Sequence, residues 1–166
     1  MDELSNFEIV QRVVISLLAG TAIGLEREWN NKPAGIRTYA LVSEGAALFM
    51  ILSLMLSQEV RASGGISDPT RIASTVVQGV GFIAGGVIFT HRAKVVGLTT
   101  AAGMWVAAAV GLVIGAGYYM AALIGVLGTL FTLLPMRWFE REFVQKNSNR
   151  QKQQTQNEVI DGASQE

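Results

Sequence analysis

Apolar positions in this chain run in long blocks set off by short polar segments, instead of alternating along one face. Five blocks approach the roughly 17 to 25 residues a helix needs to cross a bilayer: residues 9–25, 38–56, 72–90, 98–116 and 118–135. From Gly97 to Met136 there is no charged residue. A water-soluble bundle would need a polar face at helical period there. The pattern therefore predicts an all-α integral membrane protein of about five transmembrane helices. The first block is the weakest, because Gln11 and Arg12 lie near its start. The last two are separated by Gly117 alone, which predicts a tight helical hairpin.

The polar segments mark the boundaries. Residues 1–8 form a short N-terminus, 9–136 the transmembrane domain, 137–146 a basic helix end beside the membrane, and 147–166 a polar tail with almost nothing to bury, expected to be disordered. The acidic start does not fit a cleaved signal peptide. Ser67-Asp68-Pro69-Thr70 reads as a helix start with Ser67 or Asp68 as cap. Gly64-Gly65 and Pro33-Ala34-Gly35 read as turns.

An odd number of spans puts the chain ends on opposite sides. With the N-terminus outside, Arg27, Lys32, Arg37, Arg92, Lys94, Arg137, Arg141, Lys146, Arg150 and Lys152 are cytoplasmic, and only Arg12, Arg61 and Arg71 lie outside. That asymmetry satisfies the positive-inside rule. The N-terminus is thus expected in the periplasm and the C-terminus in the cytoplasm.

Composition supports the membrane reading and removes chemistry. Half the residues are hydrophobic and 16% are charged, against about 25% in average soluble domains. The net charge is zero, so the total indicates no nucleic-acid partner. There is no cysteine, which removes disulfides and thiolate sites. His91, the only histidine, lies in a basic loop and makes no metal cluster. No nucleophile–base pair or nucleotide fingerprint is present, so neither enzymatic activity nor a resident cofactor is expected.

The candidate chemistry centres on a charged segment, Glu26, Arg27, Glu28, Lys32 and Arg37, that leads into an apolar run containing Glu44. A carboxylate in a membrane helix is snorkelling, paired within the protein, or serving a cation or proton. Glu44 lies six residues beyond Thr38, roughly 9 Å in from the cytoplasmic side. Gln78 enters from the other side and forms a separate outer feature. The candidate polar cluster is Glu26, Arg27, Arg37, Glu44, Thr99 and Thr100, with Asp68, Arg71 and Gln78 as secondary candidates. If a metal is bound, Glu44 is the candidate ligand. Gly20/Gly24, Gly81/Gly85 and Gly111/Gly115 share the small-xxx-small spacing of packed membrane helices.

Four segments, GLEREW from Gly24, KPAGIRTYALVSEGAALF from Lys32, DPTRIASTVVQGVGFIAGGVIF from Asp68 and GLTTAAGMWVAAAVGL from Gly97, occur in this order. Together they resemble the hydrophobic domain of the MgtC/SapB (YhiD-like) family of bacterial inner-membrane proteins, over roughly Val10 to Leu134. The chain resembles the short form, lacking the cytoplasmic domain some members carry. The resemblance implies a multi-pass inner-membrane protein linked to growth under magnesium limitation and, in some pathogens, to survival within host cells. It also implies a partner in the same membrane, such as the ATP synthase or a magnesium pump, besides the lipid bilayer and a homo-oligomer. Three functions compete. One is a regulator acting by helix–helix contact. Another is a transport component for Mg2+ or another cation, with Glu44 in the pathway; Mg2+ takes oxygen ligands and keeps several waters. The third is a purely structural or lipid-organising protein.

Overall fold

The structure, a computed structural model, describes residues 4–91 and 94–134. Its elements in order are α1 (Asn6–Trp29), α2 (Ile36–Ala62), α3 (Thr70–Gly85), β1 (Phe89–His91), β2 (Lys94–Val96), α4 (Leu98–Gly115) and α5 (Tyr119–Leu133). The chain divides after Leu130 into two compact units; of the second, only residues 131–134 are described, and they finish α5. The helix end expected over 137–146 and the tail at 147–166 lie outside the described residues, as do residues 1–3.

Local chemistry sets the helix ends. Ser5 caps α1 in a capping box: its hydroxyl accepts from the Glu8 amide while the Glu8 carboxylate accepts from the Ser5 amide. α1 runs on to Trp29, so Glu26, Arg27 and Glu28 are helical, and the connection begins only at Asn30. Asn31 there takes a left-handed backbone, φ 51°, a conformation asparagine tolerates. Gly35 starts α2 without a side-chain cap of its own. Glu28 supplies the bond, its carboxylate accepting from the Ile36 amide at 2.9 Å. α2 ends where Gly64 turns left-handed, φ 80°, and the Gly65 amide returns to the Val60 carbonyl at 2.9 Å. Asp68 accepts from the Thr70 amide and hydroxyl at 2.9 and 2.7 Å, which opens α3 and holds the Asp68 carboxyl below its usual pKa.

The third apolar block departs from expectation. Its helix stops at Gly85, and the following residues enter a two-stranded antiparallel ladder pairing Phe89 with Val96 and Thr90 with Val95. Gly97 closes that hairpin at φ 94°, where a side chain would collide with the Val87 carbonyl. Three helices, α1, α2 and α4, are long and apolar enough to cross a membrane. α3 has 16 residues and α5 has 15, about 24 and 22 Å of helix, against a hydrocarbon core of about 30 Å.

α1, α2 and α4 pack on one another, and α3 rests on α2 and α4. α4 is the most enclosed of the three long helices, and its buried side is built of small residues, among them Ala101, Gly103, Ala107, Ala108, Gly111 and Gly115. Small side chains let the backbones meet directly. From one side of α2, an added Cβ at Gly20 would strike the Tyr39 carbonyl and one at Gly24 would lie 2.7 Å from the Ile36 Cα. From the other side, Gly111 abuts the Ser43 carbonyl and Gly115 the Ala47 carbonyl, at 2.6 Å. α2 is thus gripped between the glycines of α1 and α4. Gly81 and Gly85 share the spacing but not the role: nothing lies within 4 Å of a Cβ added at either. The packing expected of that pair does not occur among the described residues, because the stripe of α3 that carries it, with Ser74 and Gln78, is exposed.

Candidate functional site

The polar groups gather where α1 ends, α2 begins and α4 begins. Glu26 and Arg27 project into this junction and are buried, at 7% and 3% exposure. Tyr39, one turn into α2, and Thr100, in the first turn of α4, are buried with them. The Arg27 guanidinium donates to the Thr100 hydroxyl at 2.9 Å and to the Glu26 carboxylate at 3.5 Å. Asn30 donates to the other Glu26 oxygen at 2.7 Å. The Tyr39 hydroxyl donates to the Thr100 carbonyl at 2.9 Å, and Gly103 makes room for that ring: a Cβ there would sit 2.6 Å from the Tyr39 hydroxyl. Buried charge is tolerated when it is paired and hydrogen-bonded. Here an adjacent acid and base compensate each other and tie three helices together; the Arg27 Nε remains without a partner.

This cluster differs from the one the sequence outlined. It contains Glu26, Arg27 and Thr100, and adds Tyr39 and Asn30. Arg37 and Thr99 are exposed and stand outside it. Glu44 is half-buried on α2 and, among the described residues, makes no hydrogen bond or ion pair. Of the secondary candidates, Asp68 stands one residue before the N-cap of α3, which is Pro69 and not Ser67 or Asp68 as expected, and its carboxylate bonds Thr70; Arg71 is exposed and gives its carbonyl to Ser74 and Thr75, and Gln78 is exposed on α3. Tyr39 carried a sequence signal: a tyrosine in an apolar helix must find a partner for its hydroxyl when buried. Among the described residues, no group of three His, Asp or Glu side chains could hold a metal ion.

A second tie lies at the opposite end of the same helix pair. Arg12 of α1 donates to the Gly115 carbonyl in the last turn of α4 at 2.7 Å, where the helix dipole favours a cation. Arg12 precedes Arg27 by the same interval as Thr100 precedes Gly115, about 22 Å of helix rise. The antiparallel pair is therefore pinned by an arginine of α1 at both ends, and the residue that weakens the first apolar block is a structural contact. Arg12→Leu is expected to lower stability by about 1–2 kcal/mol and to speed amide exchange in the last turn of α4. Unchanged exchange there would rule the contact out as a stabilising one.

These features define an α-helical membrane protein with a closed polar junction at one end of a small-residue bundle. The chain belongs to the MgtC family, whose model matches residues 13–142. It is similar to YhiD of Escherichia coli (strain K12), 46% identical over 103 residues, covering 61% of this chain and 48% of that protein. A protein of Synechocystis is 42% identical over 102 residues, covering 61% of this chain and 41% of its own. MgtC of Salmonella typhimurium (strain LT2) is 37% identical over 107 residues, covering 64% and 43%. The chain thus spans less than half the length of these relatives. No solved structure matches it significantly.

Proposed function

We propose that this protein is a regulator in the bacterial inner membrane, serving adaptation to magnesium limitation through helix–helix contact with another membrane protein. The observation that carries this reading is the dispersal of the polar groups an ion route would need. Glu26 and Arg27 are closed off in mutual compensation. Glu44 and Gln78 stand on different helices, and among the described residues no group of three His, Asp or Glu side chains could hold a metal ion. Exposed apolar surface on α2 and α3 is ample for contact, including a groove of about 630 Å³ lined by residues such as Val42, Phe49, Val76 and Ile83. By family resemblance, the ATP synthase or a magnesium pump is the candidate partner.

The alternative is a magnesium transport component. It is favoured by the name of the Escherichia coli relative, "Putative magnesium transporter YhiD". Purified protein in liposomes loaded with a magnesium-sensitive dye separates the two. The regulator reading expects no flux above that of empty liposomes. Robust flux that disappears in Glu44→Gln would overturn it.

A further inference from the structure

Glu44 is a half-buried acid within an apolar run, and it has no hydrogen bond or ion pair among the described residues. On α2 it stands beside Arg37, Leu41, Leu48 and Met55, at spacings of four, three, four and seven residues. Two seven-residue rows, 37/44/51 and 41/48/55, carry the period of a helix–helix seam; Ile51 is buried in the bundle at 3% exposure, so the open row is Leu41, Leu48 and Met55, with Glu44 at its edge. The surrounding face is open: Leu41 is 65% exposed, Leu48 46% and Met55 40%, and Arg37 is also exposed. The glycine contacts with α1 and α4 use other positions of α2, namely Ile36, Tyr39, Ala40, Ser43, Ala46, Ala47 and Met50. The open row therefore runs alongside the internal packing, which reaches Glu44's own row at Ile51.

We propose that this face of α2 docks a membrane helix of a different protein, one that carries a basic side chain level with Glu44. The inference rests on the regulator reading and names the chemistry of its partner. A carboxylate in an apolar span, without a hydrogen bond from its own chain, gains most from an opposite charge in the same low-dielectric layer. A second copy fits this face badly. Two copies related by a two-fold axis along the membrane normal present the same patch to each other, which sets Glu44 against Glu44 and Arg37 against Arg37.

The chain has no cysteine, so Lys32→Cys gives a single labelling position. Labelled protein in phosphatidylcholine liposomes is titrated with single-span leucine–alanine peptides carrying an acceptor dye. One peptide has a lysine at the depth of Glu44; the other is all apolar. The lysine peptide is expected to associate about tenfold more tightly, the scale of a polar contact between membrane helices. The preference should vanish in Glu44→Leu and reappear for Glu44→Lys with a glutamate peptide. Glu44 makes no hydrogen bond or ion pair among the described residues, so these variants should retain wild-type thermal unfolding, which is checked in parallel. Equal binding of both peptides, or a preference that survives Glu44→Leu, overturns the proposal. Energy transfer between two labelled copies that is lost in Glu44→Leu also overturns it and assigns the seam to self-association. Magnesium flux in the dye assay counts against the regulator reading; absent flux together with absent peptide preference counts against the seam alone.

Discussion

Replacing Arg27 with leucine is expected to destabilise the protein by about 3–5 kcal/mol, the cost of stranding one member of a buried charge pair. Glu26 would keep Asn30 but lose its cation, and the Thr100 hydroxyl would lose its donor. The effect should be strongly non-additive. In a Glu26→Leu and Arg27→Leu double variant both charges leave, and apolar replacement of a buried pair is often neutral or better. A double-mutant cycle measured by denaturant or thermal unfolding in detergent reads this coupling directly. An Arg27→Leu protein within about 0.5 kcal/mol of wild type, the range of ordinary surface changes, would show that the junction does not hold the helices together. If the junction is instead part of a partner surface, the double variant should fold yet fail in regulation. Stability and function are then separated by one pair of residues.

The second large effect is at the glycines that grip α2. Gly20→Val and Gly111→Val place a branched side chain against a backbone carbonyl of the neighbouring helix. Overpacking a core costs about 1–3 kcal/mol even when side chains can move aside. Backbone cannot move aside as readily, so these variants should sit at or above the upper end of that range, or fail to assemble. Gly81→Ala and Gly85→Ala, with the same spacing but open space around them, should cost no stability, and in a helix should raise it by up to about 1 kcal/mol. Equal losses at all four positions would mean that α3 is packed as tightly as α1 and α4, contrary to the structure.

The glycine pairs show where sequence reading stops. Gly20/Gly24, Gly81/Gly85 and Gly111/Gly115 have the same interval, and the interval states only that a close approach is possible on that face. Which face meets another helix depends on the rotation of each helix about its axis, set by all of its contacts together. Glu44 and Glu26 pose the same problem in reverse. Glu44 drew attention through its apolar neighbours in sequence, and Glu26 looked like part of a solvated connection. In the fold α1 continues through Glu26 and Arg27, and the start of α4 closes over them, so the acid in the charged segment is the more deeply buried of the two.

By itself the sequence determined the class of molecule: a helical membrane protein of the MgtC family, with its long apolar helices α1, α2 and α4 and the turns that bound them. These follow from local quantities, namely the length of an apolar run, the absence of charge within it, and the capping and turn residues beside it. Only the tertiary structure decided that the third block breaks at Gly85 into a hairpin, that Arg12 and Arg27 pin α1 to α4 at both ends, that Tyr39 and Asn30 join the polar junction, and that Glu44 stands apart from it. Those outcomes depend on which groups from distant segments share a depth and a facing side. That is fixed by the packing of small residues between helices, which no single stretch of sequence contains.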